Sequence, residues 1–565
     1  MNSNSIIVQE YLGSLKEDKE LDYLFPLLLS VMGFRIVQTA LESKGQSQYG
    51  KDIVAIGNDD NGNKFRWYFE LKGFKDKNIT DKNYSISDGI RESIIEAKDT
   101  AFNDSSIPEF DSLPIKIVVV HNGILKTNIR PTFDGFISRE FKPGEFERWD
   151  IYYLTDLFSK YLFSEYLLAD AESNRLLKRT LAFLDSPDND FSDFKQLVEI
   201  QIDKTKTIKG RTFKKYFATL NLLSSIIFHY SNENQNLIAA KECSDYLVLR
   251  VWSWILKQKL EQKEAVLKEF RKLLTIQYNI LDAYFKKTYK VASLENGLYA
   301  ENGAFFEAIG YPLRCFDYIN DIIYYCELRT YYPDYREASK HKKRLRNIQK
   351  DKIITLIKNN SGAYRPIIDN HSIAILNVFR FFSEQSDMRQ KDLEFLASYI
   401  FGVINGLLII KIKRNRLPDG YNRISLVSEF VATGEKPQEY TDESSMLIAI
   451  LYELLIFFNA EETYLDLKKR LDDKVNLQIA HPSVKEFDIE QLLFERHMHS
   501  EYYIDSFQAV PDSFDEFKEK VKEKEYEKME YRTDKAGFPF LRTLAHKYYK
   551  NEIFPDEWRK KIPSD

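Results

Sequence analysis

A chain of 565 residues with 44% hydrophobic and 30% charged side chains can build more than one core, which excludes a disordered polymer. A formal net charge of −5 excludes a field that draws nucleic acid over the whole surface, so any such contact needs a local patch. Cys243, Cys315 and Cys326 form no C-x-x-C pair and no metal-finger spacing, which excludes a disulfide scaffold and fits a reducing compartment.

The opening MNSNSIIVQEYLGSLKEDKE has no basic segment leading into an apolar core, so no signal peptide and a cytoplasmic location are expected. The segment ELDYLFPLLLSVMGF reads as a helix made irregular by Pro26, and RIVQTA as a strand. Next comes GQSQYGKD (45–52), where Gly45, Gly50 and Lys51 fit the first seven positions of a phosphate-binding loop. The eighth position is Asp52 in place of Ser or Thr, and an acid there would repel phosphate. A phosphate loop must also open a helix. Here DIVAIG, the turn-rich GNDDNGNK and FRWYFELK read as strand, tight turn and strand.

Counting outward from Asn61 in the turn, nine residues either way reach Asp52 and Glu70, which should lie opposite each other. Alternation puts Tyr68, Glu70 and Lys72 on one face, and Trp67, Phe69 and Leu71 on the other. Two carboxylates and an ammonium then meet at the end of a hairpin, and oxygen ligands of this kind suit Mg²⁺ or Mn²⁺. The competing reading is a structural ion pair at a sheet edge. Further on, SDGIRESIIEAKDTAF reads as a helix, IKIVVVHNG as a strand ending at His121, and WDIYYLTDLFSKYL as a strand running into a helix.

Gly50-Lys51-Asp52 followed by Glu70-Leu71-Lys72 resembles the D…(D/E)-x-K signature of restriction-endonuclease-like nucleases, most closely the Mrr-like branch. The likeness covers about the first 165 residues. It implies a mixed sheet in an αβββαβ core and Mg²⁺-dependent phosphodiester hydrolysis. Asp52, Glu70 and the Leu71 backbone carbonyl would hold the metal, and Lys72 would orient or help deprotonate the attacking water. Glu20 or Asp22 would supply an acid from the first helix, with Glu20 the candidate carried forward. Lys51, Lys75 and His121 are candidates for nucleic-acid contact, although His121 also reads as a satisfied strand-end histidine. An open, hydrated cleft is expected, in which substitution leaves folding intact.

Eleven of the 21 glycines precede residue 150, so the rest of the chain is glycine-poor and should be helical. LDSPDNDFSD (184–193) punctuates the junction. Amphipathic segments follow without a fixed-period repeat, so the expected body is an irregular all-α array. The expected divisions are 1–165 for the nuclease head, then 166–360 and 361–565 for two helical parts. MLIAILYELLIFF (446–458) is too short to span a bilayer and contains Glu453, so it reads as a buried helix and no membrane association is expected. The basic run REASKHKKRLRNIQKDK (336–352) reads as a solvated face or connector, with nucleic-acid contact as the alternative. His497 and His499, two apart, do not share a helix face and complete no zinc site.

By analogy of organisation, the chain is similar to bacterial antiphage defence effectors, in which a nuclease is joined to a sensing or assembly region. DNA is then the expected substrate. With no ATPase motif in the sequence, an energy-dependent sensor would be a separate protein, and self-association through the helical part is a further expectation. The alternatives are a catalytically silent nucleic-acid-binding scaffold and a structure-specific repair nuclease.

Overall fold

The computed structural model of the protein describes residues 3–39, 49–59, 61–73, 76–87, 89–161, 168, 170–186, 189–204, 212–300, 305–331, 339–384, 387–443, 445–471, 478–482, 488–498, 504–522 and 530–561. The chain divides into two compact units, Met1–Leu247 with Lys268–Ile276, and Val248–Leu267 with Gln277–Asp565.

The first unit opens with α1 (Ser3–Leu12), a π-helical turn at Glu17–Leu21 and α2 (Asp22–Val31). Pro26 lies inside α2 and has no N–H to return to the Asp22 carbonyl, which weakens the helix at its start. Immediately before it the chain runs as the wider turn, the N–H groups of Leu21 and Asp22 bonding five residues back to Lys16 and Glu17. The helix holding Pro26 itself runs as an α-helix from Asp22 to Val31, and the irregular turn lies just before it.

A five-stranded sheet follows, its strands side by side in chain order: β1 (Arg35–Gln38), β2 (Ile53–Asn58), β3 (Lys64–Lys72), β4 (Ile115–His121) and β5 (Phe146–Trp149). The first three are antiparallel and the last three parallel, so the sheet is mixed. The β2–β3 turn is closed by the Asp59 carboxylate, which accepts from the Asn61 and Asn63 N–H groups at 3.0 and 2.8 Å, and by Gly62 at φ +83°. Between β3 and β4 lie α3 (Asp81–Tyr84) and α4 (Ile90–Asp99); α5 (Arg130–Glu140) leads to β5, and α6 (Ile151–Tyr161) leaves it.

Both faces of the sheet are covered, which is why β2 and β4 are near-continuous apolar runs. On one face Trp67 and Phe69 stack at 5.9 Å and meet Trp149, while Phe69 meets Phe25 of α2 edge-on at 5.2 Å. On the other, Val54, Ile56, Tyr68 and Ile117 pack with Ala97 of α4, and Val119 packs with Ile90, Ile94, Phe133 and Phe136.

Helices α7 (Ala171–Ala182), α8 (Ser192–Asp203) and α9 (Thr212–Glu233) belong to the same unit as the sheet. The punctuation at 184–193 therefore joins α7 to α8. The division between units falls inside α10 (Leu237–Lys257) and α11 (Glu264–Ala292).

The second unit is largely helical, with α12 (Tyr311–Tyr331), α13 (Ser339–Lys358), α14 (His371–Phe382), α15 (Gln390–Arg414), α16 (Ile424–Thr433), α17 (Met446–Phe457) and α18 (Glu461–Leu471) in succession. The all-α expectation is corrected by an antiparallel pair, β6 (Gln478–Pro482) and β7 (Ile504–Ala509). Strands this short are stabilised by pairing across a sequence gap, and a local apolar pattern does not reveal that.

Helix α17 is buried, and its Glu453 is held bidentately by Arg559 with both contacts at 2.6 Å. Among the described residues one helix, Gln390–Arg414, is long and apolar enough to cross a membrane, and 44% of its apolar window is buried inside the protein. Its Gly402 and Gly406 admit Tyr364, which stands where a Cβ would be. In the basic run, Arg346 and Lys350 turn inward to Asp387 at 2.6 and 2.8 Å, whereas Lys343 and Arg344 are exposed. The His497 Nδ1–H donates to the Tyr549 carbonyl at 3.0 Å, and His499 lies outside the described residues.

Candidate active site

The β2–β3 register sets Ile53 opposite Phe69 and Val54 opposite Tyr68, and extending it by one residue puts Asp52, just before β2, opposite Glu70. Because β2 runs against β3, the residue that precedes β2 stands beside the carboxyl end of β3. This is also the carboxyl end of the parallel part of the sheet, the edge at which open α/β sheets present their binding residues.

Asp52 is aimed by its neighbours. Gly50 has φ +70°, and a Cβ there would come within 2.0 Å of the Ser93 carbonyl in α4, so the glycine of the Gly-x-Asp entrance is a packing requirement. Asp52 Oδ2 accepts from the Leu71 N–H at 2.7 Å. In an extended strand a residue's N–H and C=O point to the same edge, so the Leu71 carbonyl also faces the Asp52 side. Burial, reinforced by the Glu70 charge, pushes the Asp52 carboxyl up to about 8.

Glu70 is 5% exposed, and its Oε1 lies 2.6 Å from Lys72 Nζ. Burial works against the Lys72 charge, yet Glu70, Glu17 and Asp52 together raise its pKa above the ordinary lysine value. The site is thus partly buried, not the open cleft expected from the sequence.

A further acid joins from the π turn. Glu17 Oε2 accepts from the Gly73 N–H at 3.1 Å, and Oε1 stands 4.0 Å from Lys72 Nζ. Burial raises the Glu17 pKa, against the pull of Lys72. A Cβ on Gly73 would meet the Glu17 nitrogen at 2.7 Å, so only glycine allows this approach. Glu20 turns elsewhere: its Oε2 accepts from the Lys16 N–H at 2.7 Å and its Oε1 pairs with Lys215 of α9. The acidic run Glu17, Asp18, Glu20 was the available signal, but a π turn departs from the 3.6-residue period by which one acid would be chosen.

The three expected nucleic-acid contacts fare differently. Lys51 is buried, its Nζ donating to the Tyr49 carbonyl at 3.1 Å and standing 5.3 Å from the Tyr68 ring centre. Burial pushes its pKa down to about 8, although Glu96 and Glu70 oppose the change. His121, beside Lys72 in the β3–β4 register, is fully buried. Its Nδ1 meets the Lys77 carbonyl at 3.0 Å and its Nε2 the Arg148 guanidinium at 3.1 Å. A carbonyl only accepts and a guanidinium only donates, so the partners select the neutral Nδ1–H tautomer. Burial pushes its pKa down to about 4 in agreement. His121 is the satisfied strand-end histidine. Lys75 lies outside the described residues.

Among the described residues, no group of three or more His, Cys, Asp or Glu side chains is arranged to hold a metal ion. The oxygens of Asp52 and Glu70 and the Leu71 carbonyl fit a hard divalent cation in type. The charge balance fits as well, since three carboxylates surround Lys72. Comparison of the chain with protein families, with curated proteins and with solved structures gives no match.

Proposed function

We propose that the first unit is a metal-dependent nuclease in which Asp52, Glu70 and the Leu71 carbonyl hold Mg²⁺ or Mn²⁺. The observation that carries this reading is the Asp52 carboxylate bound to the Leu71 N–H at 2.7 Å, at the same end of β3 where Glu70 and Lys72 form an ion pair of 2.6 Å. A bound metal supplies Lewis acidity and a water more acidic than bulk water. Lys72 orients the attacking water and offsets the charge that builds on the phosphate. Glu17 stands next to Lys72 as a second acid able to position that ammonium.

The restriction-endonuclease-like and Mrr-like resemblance of the Gly-x-Asp and Glu-x-Lys segments supports DNA as the substrate and an αβββαβ core. On the same analogy the protein acts in the cytoplasm as an effector of antiphage defence. Its helical unit would serve self-association or docking to a separate ATPase or sensor. A second reading has its own observation in favour. Glu70 and Lys72 satisfy each other, as they would in a catalytically silent nucleic-acid-binding scaffold.

The deciding experiment incubates the purified protein with plasmid, linear duplex, single-stranded DNA and RNA, with and without Mg²⁺ or Mn²⁺. Cation-dependent cleavage that disappears in Asp52→Ala and Lys72→Ala supports the enzyme. Binding without cleavage in the wild-type protein supports the scaffold.

A further inference from the structure

We infer that the Lys215–Glu20 ion pair is a positioning device that ties helix α9 to the π turn and so sets where the Glu17 carboxylate stands beside Lys72. Its effect on cleavage rests on the nuclease reading above, whereas the coupling itself does not.

The five-residue turn Glu17–Leu21 carries acids that engage two different parts of the unit. Glu17 is docked on the end of β3 through the Gly73 N–H and Lys72. Three residues on, Glu20 is docked on α9 through Lys215, while its second oxygen closes the turn onto the Lys16 N–H at 2.7 Å. The Glu20 and Lys215 side chains are 18% and 30% exposed, so the pair is shielded more than a typical surface ion pair.

The turn has little stiffness of its own. It is a single turn of the rare five-residue kind, separated from α1 by residues 13–16 and followed directly by α2. Buried Leu15 and Leu21, with the Asn122 bonds to the Leu12 and Leu15 carbonyls, seat the segment, and the contacts of its acids set how the Glu17 end meets β3. Gly73 leaves no gap on the β3 side, since an added Cβ would stand 2.7 Å from the Glu17 nitrogen. Lys215 is the ionic contact that ties Glu20 to α9. Releasing it frees the turn to lift from β3, and Glu17 moves with it. A displacement of α9 is transmitted by the same route.

The test uses the full chain and four proteins: wild type, Lys215→Ala, Lys215→Arg and Glu20→Gln. Glu20→Gln removes the charge but keeps an acceptor for the Lys16 N–H, which guards against simple loss of the turn. The first measurement is hydrogen–deuterium exchange at the Gly73 amide, whose acceptor is Glu17. We expect exchange about tenfold faster in Lys215→Ala and Glu20→Gln, the size of a typical coupling between linked charged groups, with Lys215→Arg close to wild type. The second measurement is cleavage against Mg²⁺ concentration. Lys215→Ala should lose about tenfold at limiting Mg²⁺, with Lys215→Arg restoring it. Unchanged Gly73 exchange in a folded Lys215→Ala or Glu20→Gln protein overturns the proposal, and so does an arginine variant as impaired as the alanine variant. If the wild-type protein cleaves nothing under any condition, the nuclease reading fails, and the exchange result alone decides the coupling.

Discussion

The Asp52 carboxylate accepts a hydrogen bond from the Leu71 N–H at 2.7 Å, and so takes the place of the next ladder partner where β2 begins late. One side chain thereby terminates the hairpin and stands beside Glu70. Asp52→Asn keeps an acceptor for Leu71 but removes the charge, whereas Asp52→Ala removes both. Both variants should lose Mg²⁺-dependent cleavage. Only Asp52→Ala should also expose the Leu71 amide, which hydrogen exchange reads directly, at a stability cost of about 1–3 kcal/mol for the unpaired group.

Lys72→Ala should lower cleavage by about 10²–10³ through loss of a charge that meets the transition state. It also leaves Glu70, 5% exposed, without its ion-pair partner. Folding should therefore be weakened in metal-free buffer and recover on adding Mg²⁺, a difference measurable as a shift in melting temperature. Cleavage that continues undiminished in a folded Lys72→Ala protein removes this hairpin from consideration as the active site.

Gly73→Ala forces a methyl group against the Glu17 backbone, 2.7 Å from its nitrogen. The neighbours are main-chain atoms and cannot swing aside as a side chain would. A loss of about 1–3 kcal/mol is expected in denaturant unfolding, with the turn displaced from β3.

In the absence of a divalent cation, burial and the Glu70 charge raise the Asp52 carboxyl from 3.8 to about 8. A raised acid keeps its proton in the folded state at pH values where the unfolded chain has lost it. Its contribution to stability therefore falls as pH rises from about 4 to about 8 and is level above that. His121, lowered from 6.5 to about 4, acts with the opposite sign over that lower range, leaving Asp52 unopposed by it between about 6.5 and 8. The melting temperature of Asp52→Asn should thus gain on that of wild type as pH rises through this window. Mg²⁺ binding at pH 7 should release protons, seen as a buffer-dependent heat in calorimetry. A pH-independent difference between the two proteins would contradict the assignment.

In the second unit, Glu453 and Arg559 are 2% and 3% exposed and joined by two contacts of 2.6 Å. Arg559→Ala leaves a buried carboxylate unpaired and should cost about 3–5 kcal/mol in denaturant unfolding. Replacing both residues by leucine should cost much less, because no charge is then left buried.

The hairpin and its register could be read from the chain alone, because turn chemistry at 57–64 and a period of two are local properties. Counting from Asn61 put Asp52 opposite Glu70, and the β2–β3 pairing, which starts one residue further in with Ile53 opposite Phe69, runs in the same register. The strand ending at His121 and the buried helix around Glu453 were legible for the same reason. The tertiary structure decided the rest. Glu17, not Glu20, joins Lys72 because a π turn and the missing Cβ of Gly73 bring together segments 56 residues apart. Lys51 turns inward over Tyr68, and His121 is enclosed by Lys77 and Arg148. The short β6–β7 pair and the division inside α10 and α11 likewise follow from packing between distant segments. Local sequence sets which faces are apolar and where chains turn; which polar group meets which is settled only when non-local burial selects among rotamers and neighbours.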